Sequence, residues 1–155
     1  MVYKGTICGL PRYLAHKADS THEVKSQILA RAVQQLPGSY KLQMKFLLLN
    51  VGQKDLYEQK TSPVWQKVNY LFEQSLSLCH KFPLVWLLFC DWLAKQPHRI
   101  TYTRRTFDRA LKALPATQHA AIWDKYLAFA ESVGGETCVR VWRRYLKVQP
   151  RHCER

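Results

Sequence analysis

The residues able to do chemistry in this 155-residue chain are five cysteines (Cys8, Cys79, Cys90, Cys138 and Cys153), six histidines and eleven acids. Their spacing gives them little to do. No two cysteines form C-x-x-C, and Cys79-His80 and His152-Cys153 are adjacent pairs, which suit neither half of a zinc site nor ligation from one helix face at i, i+4. Cys90 could pair with a distant histidine as a nucleophile. It sits on an apolar stripe, however, and reads as a buried structural thiol. Gly134-Gly135 is a lone turn dipeptide rather than a phosphate-binding loop. The sequence therefore offers no catalytic residue, no metal ligand set, no cofactor site and no small-molecule substrate. An odd number of cysteines without a framework reads as reduced intracellular thiols.

Charge is the more informative property. Lys and Arg number 24 against 11 acids, a net +13. Arg99–Lys112 holds five cations and one acid, and Arg140–Arg155 six cations and one acid. Arg105, Arg109 and Lys112 recur 35 residues later as Arg140, Arg144 and Lys147, on the sides of their helices opposite the apolar stripes. Two readings stay open. One is a solvated outer face, with a weak Asp108–Lys112 pair at i, i+4 and the stems of Arg109 and Arg144 serving repeat packing. The other is a contact surface for RNA phosphate or an acidic partner segment. No aromatic residue is interleaved with these cations, so sequence-specific readout of single strands is not expected.

The elements that must position these groups are helices. Apolar residues recur at i, i+3, i+4 and i+7 in Leu29/Ala32/Val33/Leu36, Trp86/Phe89/Cys90/Leu93, Phe107/Ala110/Leu111/Leu114, Trp123/Tyr126/Leu127/Ala130 and Cys138/Val141/Trp142/Tyr145. Val68/Leu71/Phe72 continue the pattern into Ser75, and no segment alternates as a strand. The class is all-α. Ser20 with Glu23 reads as a capping box, and Ser62-Pro63 as a cap followed by a first-turn proline. Pro37-Gly38, Pro97 and Gly134-Gly135 mark turns, and about Asn50–Ser62 reads as a polar loop insertion. The longest apolar run, Phe82–Leu93, contains Asp91 and is too short to span a bilayer. Met1–Pro11 lacks the apolar core of a signal peptide. A soluble protein of the cytosol or nucleus is expected.

The helices repeat. One kind carries W-x-x-[YF], as Trp86 with Phe89 and Trp123 with Tyr126, with Gln43/Phe46 and Leu10/Tyr13 as weaker copies. The other kind carries Phe72-Glu73-Gln74-Ser75 and Phe107-Asp108-Arg109-Ala110, with Leu29-Ala30-Arg31-Ala32 and Trp142-Arg143-Arg144-Tyr145 as divergent copies. Each second helix runs to a proline: Pro37, Pro83, Pro115 or Pro150. The anchors Ala32, Ser75, Ala110 and Tyr145 are spaced by 43, 35 and 35 residues, the excess falling at the loop. Two helices every 35 or so residues define an α-solenoid, because one helix pair cannot cover its own apolar stripe and must stack on the next. Trp86, Phe89, Phe107, Ala110, Pro115, Trp123, Tyr126, Trp142 and Tyr145 are the expected packing residues. Trp65 and Trp92 fall off the main stripes and are expected on a partner-facing surface. The expected layout is a tail over 1–9, repeats over about 10–37, 38–83, 84–115 and 116–150 with eight helices, and a basic tail over 151–155.

The W-x-x-Y first helix and the F-[ED]-[RQ]-A second helix ending at proline resemble HAT (half-a-TPR) repeats. The run Cys79–Cys90 (CHKFPLVWLLFC), and above all Thr101–Trp123 (TYTRRTFDRALKALPATQHAAIW), is similar to the SYF branch of HAT-repeat pre-mRNA-splicing factors, whose animal members are called XPA-binding protein. Leu36-Pro-Gly-Ser-Tyr-Lys-Leu and Arg143-Arg-Tyr-Leu-Lys also fit, and the resemblance runs from about Leu10 to Pro150. It implies an α-α superhelix acting as a nuclear, non-enzymatic spliceosomal scaffold associated with the NineTeen complex, with splicing-complex proteins as partners and a tie to transcription-coupled repair. The alternative is an RNA-binding relative in mRNA 3′-end cleavage or rRNA processing. Gln43 and Leu10 depart from the pattern in place of tryptophan, Ser75 in place of alanine, and Ala30 and Arg143 in place of the acid. Family members are longer arrays, so the resemblance is to four N-terminal repeats.

Overall fold

The computed structural model describes residues 21–52, 63–96 and 99–149. Among them the chain forms seven α-helices, one 3-10 turn and no strand: α1 His22–Gln35, α2 Tyr40–Val51, α3 Pro63–Cys79, α4 Pro83–Ala94, α5 Ile100–Ala113, α6 His119–Val133 and α7 Gly135–Val148, with the turn at Ala116–Gln118 before α6. The first expected helix, around Leu10 and Tyr13, lies outside the described residues, as do Pro97 and Pro150.

Local chemistry accounts for most boundaries. Pro63 and Pro83 each open a helix, where the missing N–H has no intrahelical acceptor to lose and φ is already helical. Pro37-Gly38 separates α1 from α2, and Pro115 follows α5. Gly134 and Gly135 take φ of +70° and +58°, a consecutive left-handed pair that turns α6 into α7 and that side chains with a Cβ resist. Two boundaries shift from expectation. The cap position of α1 is Thr21, while Ser20 lies outside the described residues. The α2 helix runs on to Val51, so the expected loop starts later than Asn50, and residues 53–62 are not described.

The helices group into two compact units, α1–α2 and α3–α7. In the first, α1 packs on α2 around Leu29, Ala32, Leu42, Phe46 and Leu47. The His22 ring meets the Leu49 carbonyl at 2.8 Å, and Gln43 Nε2 donates to the Pro37 carbonyl at 3.1 Å.

In the second unit each helix packs on the next, and α4 also packs on α6. The aromatic stripes meet face to face. Phe72 stacks on Phe89 with centroids 4.7 Å apart, and Phe107 on Tyr126 at 4.6 Å. Trp123 lies between Tyr126 at 5.7 Å and Tyr145 at 5.4 Å. The small anchors are buried where helices approach closely: Ala110 is fully buried, and so nearly are Ala32 and Ser75.

Trp65 and Trp92 correct an expectation. They are 9% and 2% exposed, packed 6.0 Å apart in the core rather than facing a partner. The reason is the position of α4. Packed against α3, α5 and α6, it buries Val85, Trp86, Phe89, Cys90, Trp92 and Leu93, which spread beyond one stripe. A helix enclosed on several sides is apolar nearly all round. The polar end of Trp92 is satisfied internally, its Nε1 donating to Asn69 Oδ1 at 2.8 Å.

Candidate functional site

The six cations singled out from the sequence all lie exposed on α5 and α7, yet the structure gives them different work. Arg109 forks onto the Glu73 carboxylate one repeat back, Nη1 to Oε1 at 2.7 Å and Nη2 to Oε2 at 2.8 Å, with its guanidinium 5.6 Å from the Trp86 ring centre. The Tyr102 hydroxyl donates to the same carboxylate at 2.8 Å. Arg144 makes the counterpart contact one unit later through Nη1 alone, donating to Asp108 Oδ1 and lying 5.9 Å from the Trp123 ring centre. Both pairs span 36 residues. The bidentate pairing of Arg109, made with its guanidinium over an aromatic ring, is geometry that arginine provides and lysine does not.

This is a ladder of inter-repeat ties on the second helices. The first helices have one of their own, Lys125 Nζ to Asp91 at 2.7 and 2.9 Å. Asp108 is committed to Arg144 and to the Tyr126 hydroxyl, not to Lys112 as the i, i+4 spacing predicts. Arg140 pairs within its own helix, its Nε donating to Glu136 at 3.0 Å. That leaves Arg105, Lys112 and Lys147 exposed and without an ion pair among the described residues. The basic face is thus three tied cations interspersed with three free ones.

The ladder shifts its members' ionisation in the directions the contacts demand. Hydrogen bonding from Arg109 holds the Glu73 carboxyl below its usual range against the opposing effect of burial. Burial, and then the Glu73 carboxylate, push the Tyr102 hydroxyl up to about 12. The Cys90 thiol is sealed in the core, and burial raises its pKa so far that it stays protonated. Among the described residues no three His, Cys, Asp or Glu side chains come together as a metal site, and no helix is long and apolar enough to cross a membrane. A cleft of about 440 Å³ opens beside the first rung, where Lys112 and His80 join Glu73, Arg109 and Trp86 in its lining.

The expected packing residues Trp86, Phe89, Phe107, Ala110, Trp123, Tyr126 and Tyr145 are buried, Trp142 is half-buried and Pro115 is exposed at its turn. Glu73, Asp108, Asp91 and Lys125 are ties that apolar periodicity does not mark. The available signal was an acid recurring just after the stripe aromatic, with an arginine 36 positions on.

Helix pairs stacked with a 35-residue period and stitched by an arginine–carboxylate tie in successive units make this a helical-repeat protein. The family described as "Pre-mRNA-splicing factor Syf1/CNRKL1 N-terminal HAT repeat" matches residues 6–151, and the chain belongs to it. The chain is 42% identical over 144 residues to pre-mRNA-splicing factor cwf3 of Schizosaccharomyces pombe, covering 92% of this chain and 18% of that protein. It is 43% identical over 148 residues to pre-mRNA-splicing factor SYF1 of Dictyostelium discoideum, and 42% over 144 residues to SYF1 of Homo sapiens, in each case 92% of this chain and 17% of the relative. The chain therefore spans about a sixth of the length of these relatives.

Proposed function

We propose that the protein is a nuclear, non-catalytic scaffold in pre-mRNA splicing, working with splicing-complex proteins of the NineTeen type. The observation that carries this reading is the family match over nearly the whole chain, to a repeat domain of splicing factors. The geometry supports it. Stacked aromatics and the Arg109–Glu73, Arg144–Asp108 and Lys125–Asp91 pairs hold one helix pair to the next, which suits a rigid surface that keeps partners in fixed relation. The test is recovery of the tagged full chain from nuclear extract with and without nuclease. Splicing proteins that co-purify after nuclease treatment are the expected result. Loss of all of them would turn the reading over to RNA.

One observation favours that second reading, a repeat protein of RNA processing that touches RNA directly. Arg105, Lys112 and Lys147 are free cations on helices one repeat apart, suited to phosphate contact. Reversing these three charges should then weaken RNA capture and flatten its salt dependence. Unchanged affinity and salt slope would remove RNA contact through this face.

A further inference from the structure

Each rung of the ladder has a pair of positions one turn further along its two helices. Beyond Glu73 and Arg109 they are Ser77 and Ala113, and beyond Asp108 and Arg144 they are Lys112 and Val148. The first pair is small, and the cleft of about 440 Å³ opens there, between α3 and α5, with Ser77 and Ala113 in its lining. Buried Leu76 and Trp86 give it an apolar floor. It is held in shape from within. Trp86 Nε1 donates to the carbonyl of His80, another lining residue, at 2.8 Å, and Arg109 forks onto Glu73. It lies between second helices of successive repeats and stays open with α6 and α7 stacked beyond α5, so it is not an unstacked end face. Its charge is one-sided. Glu73, the one acid among its described lining residues, has both oxygens taken, Oε2 by Arg109 and Oε1 by Arg109 and the Tyr102 hydroxyl. Lys112 is exposed there without an ion pair among the described residues.

We propose that this cleft binds an acidic peptide segment of a partner protein, which seats one apolar side chain between Ser77 and Ala113 and places a neighbouring carboxylate on Lys112. Charge complementarity selects this occupant. The acid in the lining is neutralised and the free charge is positive, so a carboxylate is attracted and an ammonium repelled. The volume falls within the range of pockets that take side chains and small ligands, about 300–1,000 Å³. RNA fits less well. A base needs an open aromatic face, and Trp86 is buried with the Arg109 guanidinium over its ring. A phosphate backbone leaves the apolar floor unused. A second copy brings its own net charge of +13 against this one. The site goes beyond the scaffold reading and is read on the isolated chain, so its failure leaves that reading standing.

The test titrates three short Gly/Ser peptides into the full isotope-labelled chain by NMR. One carries a phenylalanine flanked by glutamates, one has glycine in place of the phenylalanine, and one has lysines in place of the glutamates. The first should bind at least fivefold more tightly than either of the others and shift the amides of Ser77, Lys112 and Ala113 most. Ala113→Val, which copies Val148 at the next rung, should erase the advantage of phenylalanine over glycine. Lys112→Glu should erase that of glutamates over lysines. Ser77→Lys adds a cation but takes up space in the cleft, so it should weaken binding of the first peptide, and it decides the matter should Ala113→Val lower the thermal midpoint. Equal binding of the three peptides would overturn the proposal, and so would tighter binding to Ser77→Lys, the mark of plain charge attraction. A decauridine RNA that shifts the same amides while the first peptide does not would overturn it in favour of RNA. Self-association in sedimentation that Lys112→Glu removes would assign the cleft to a second copy instead.

Discussion

Trp86 and Trp123 occupy the same position in successive repeats, each buried and each with an arginine of the following second helix laid over its ring. Their indole N–H groups meet different fates. Trp86 Nε1 donates to the His80 carbonyl, six residues back, at 2.8 Å. Trp123 Nε1 is buried with no hydrogen-bond partner. The approach to the helix differs: α6 is preceded by the 3-10 turn at Ala116–Gln118, and the His119 ring meets the Leu114 carbonyl there at 2.8 Å. In the α1–α2 unit the same position is Gln43. It keeps the donation of Trp86, to the carbonyl of Pro37 six residues back, without the ring. The position thus makes two separable demands, volume in the core and an N–H for the preceding turn, and each copy meets a different combination of them.

The largest expected effect tests the volume demand. Trp123→Ala should destabilise the fold by about 3–5 kcal/mol in urea denaturation, as truncation of a fully packed aromatic does. Trp142→Ala, at a half-buried position on α7, should cost less than half as much. Equal costs would mean that Trp142 is as enclosed as Trp123. The N–H demand is isolated by a matched pair. Trp86→Phe and Trp123→Phe remove similar volume, but only the first breaks a hydrogen bond, and the second relieves an unsatisfied buried donor. Trp86→Phe should therefore be the costlier by about 1 kcal/mol or more. Gln43→Leu should cost a similar ~0.5–1.5 kcal/mol for its lost donation to Pro37. If Trp123→Phe proves as costly as Trp86→Phe, the comparison between the two indoles fails.

What could be read in the sequence followed from periodicity. The stripes through Trp86, Phe107 and Trp123 fall where the core falls, because a single-faced helix advertises its buried face every third or fourth residue. Trp92 and Trp65 escaped that logic. With α4 enclosed by three neighbours, its second apolar face, which carries Trp92 and against which Trp65 of α3 packs, looks like surface to a one-stripe reading, and only the packing shows otherwise. The ladder escaped for another reason. Glu73 with Arg109 and Asp108 with Arg144 are distant in sequence and became neighbours only when the repeats stacked, whereas Asp108 with Lys112 looked paired because one helix brings them close. In a stacked array an acid has an inter-repeat partner as near as its i+4 neighbour, and in both rungs it is the arginine one repeat on, lying over an aromatic ring, that takes the carboxylate.

The smallest expected effect separates the ladder from the core. Both members of the Glu73–Arg109 pair are substantially exposed, with side-chain accessibilities of 34% and 48%, so solvent screens it and its worth is about 0.2–1 kcal/mol. Its signature lies in pH. Arg109 lowers the Glu73 pKa in the folded state from an ordinary value of 4.5. A carboxyl whose folded pKa is depressed contributes fully above its unfolded value and loses that contribution as pH falls through the folded one. Wild type should therefore exceed Glu73→Gln in stability above about pH 5, and the difference should shrink steadily on acidification below 4.5. Molar salt should shrink it too, which a packing defect would not do. A difference indifferent to both pH and salt would show that Glu73 acts through shape, and the ladder would then be packing rather than electrostatics.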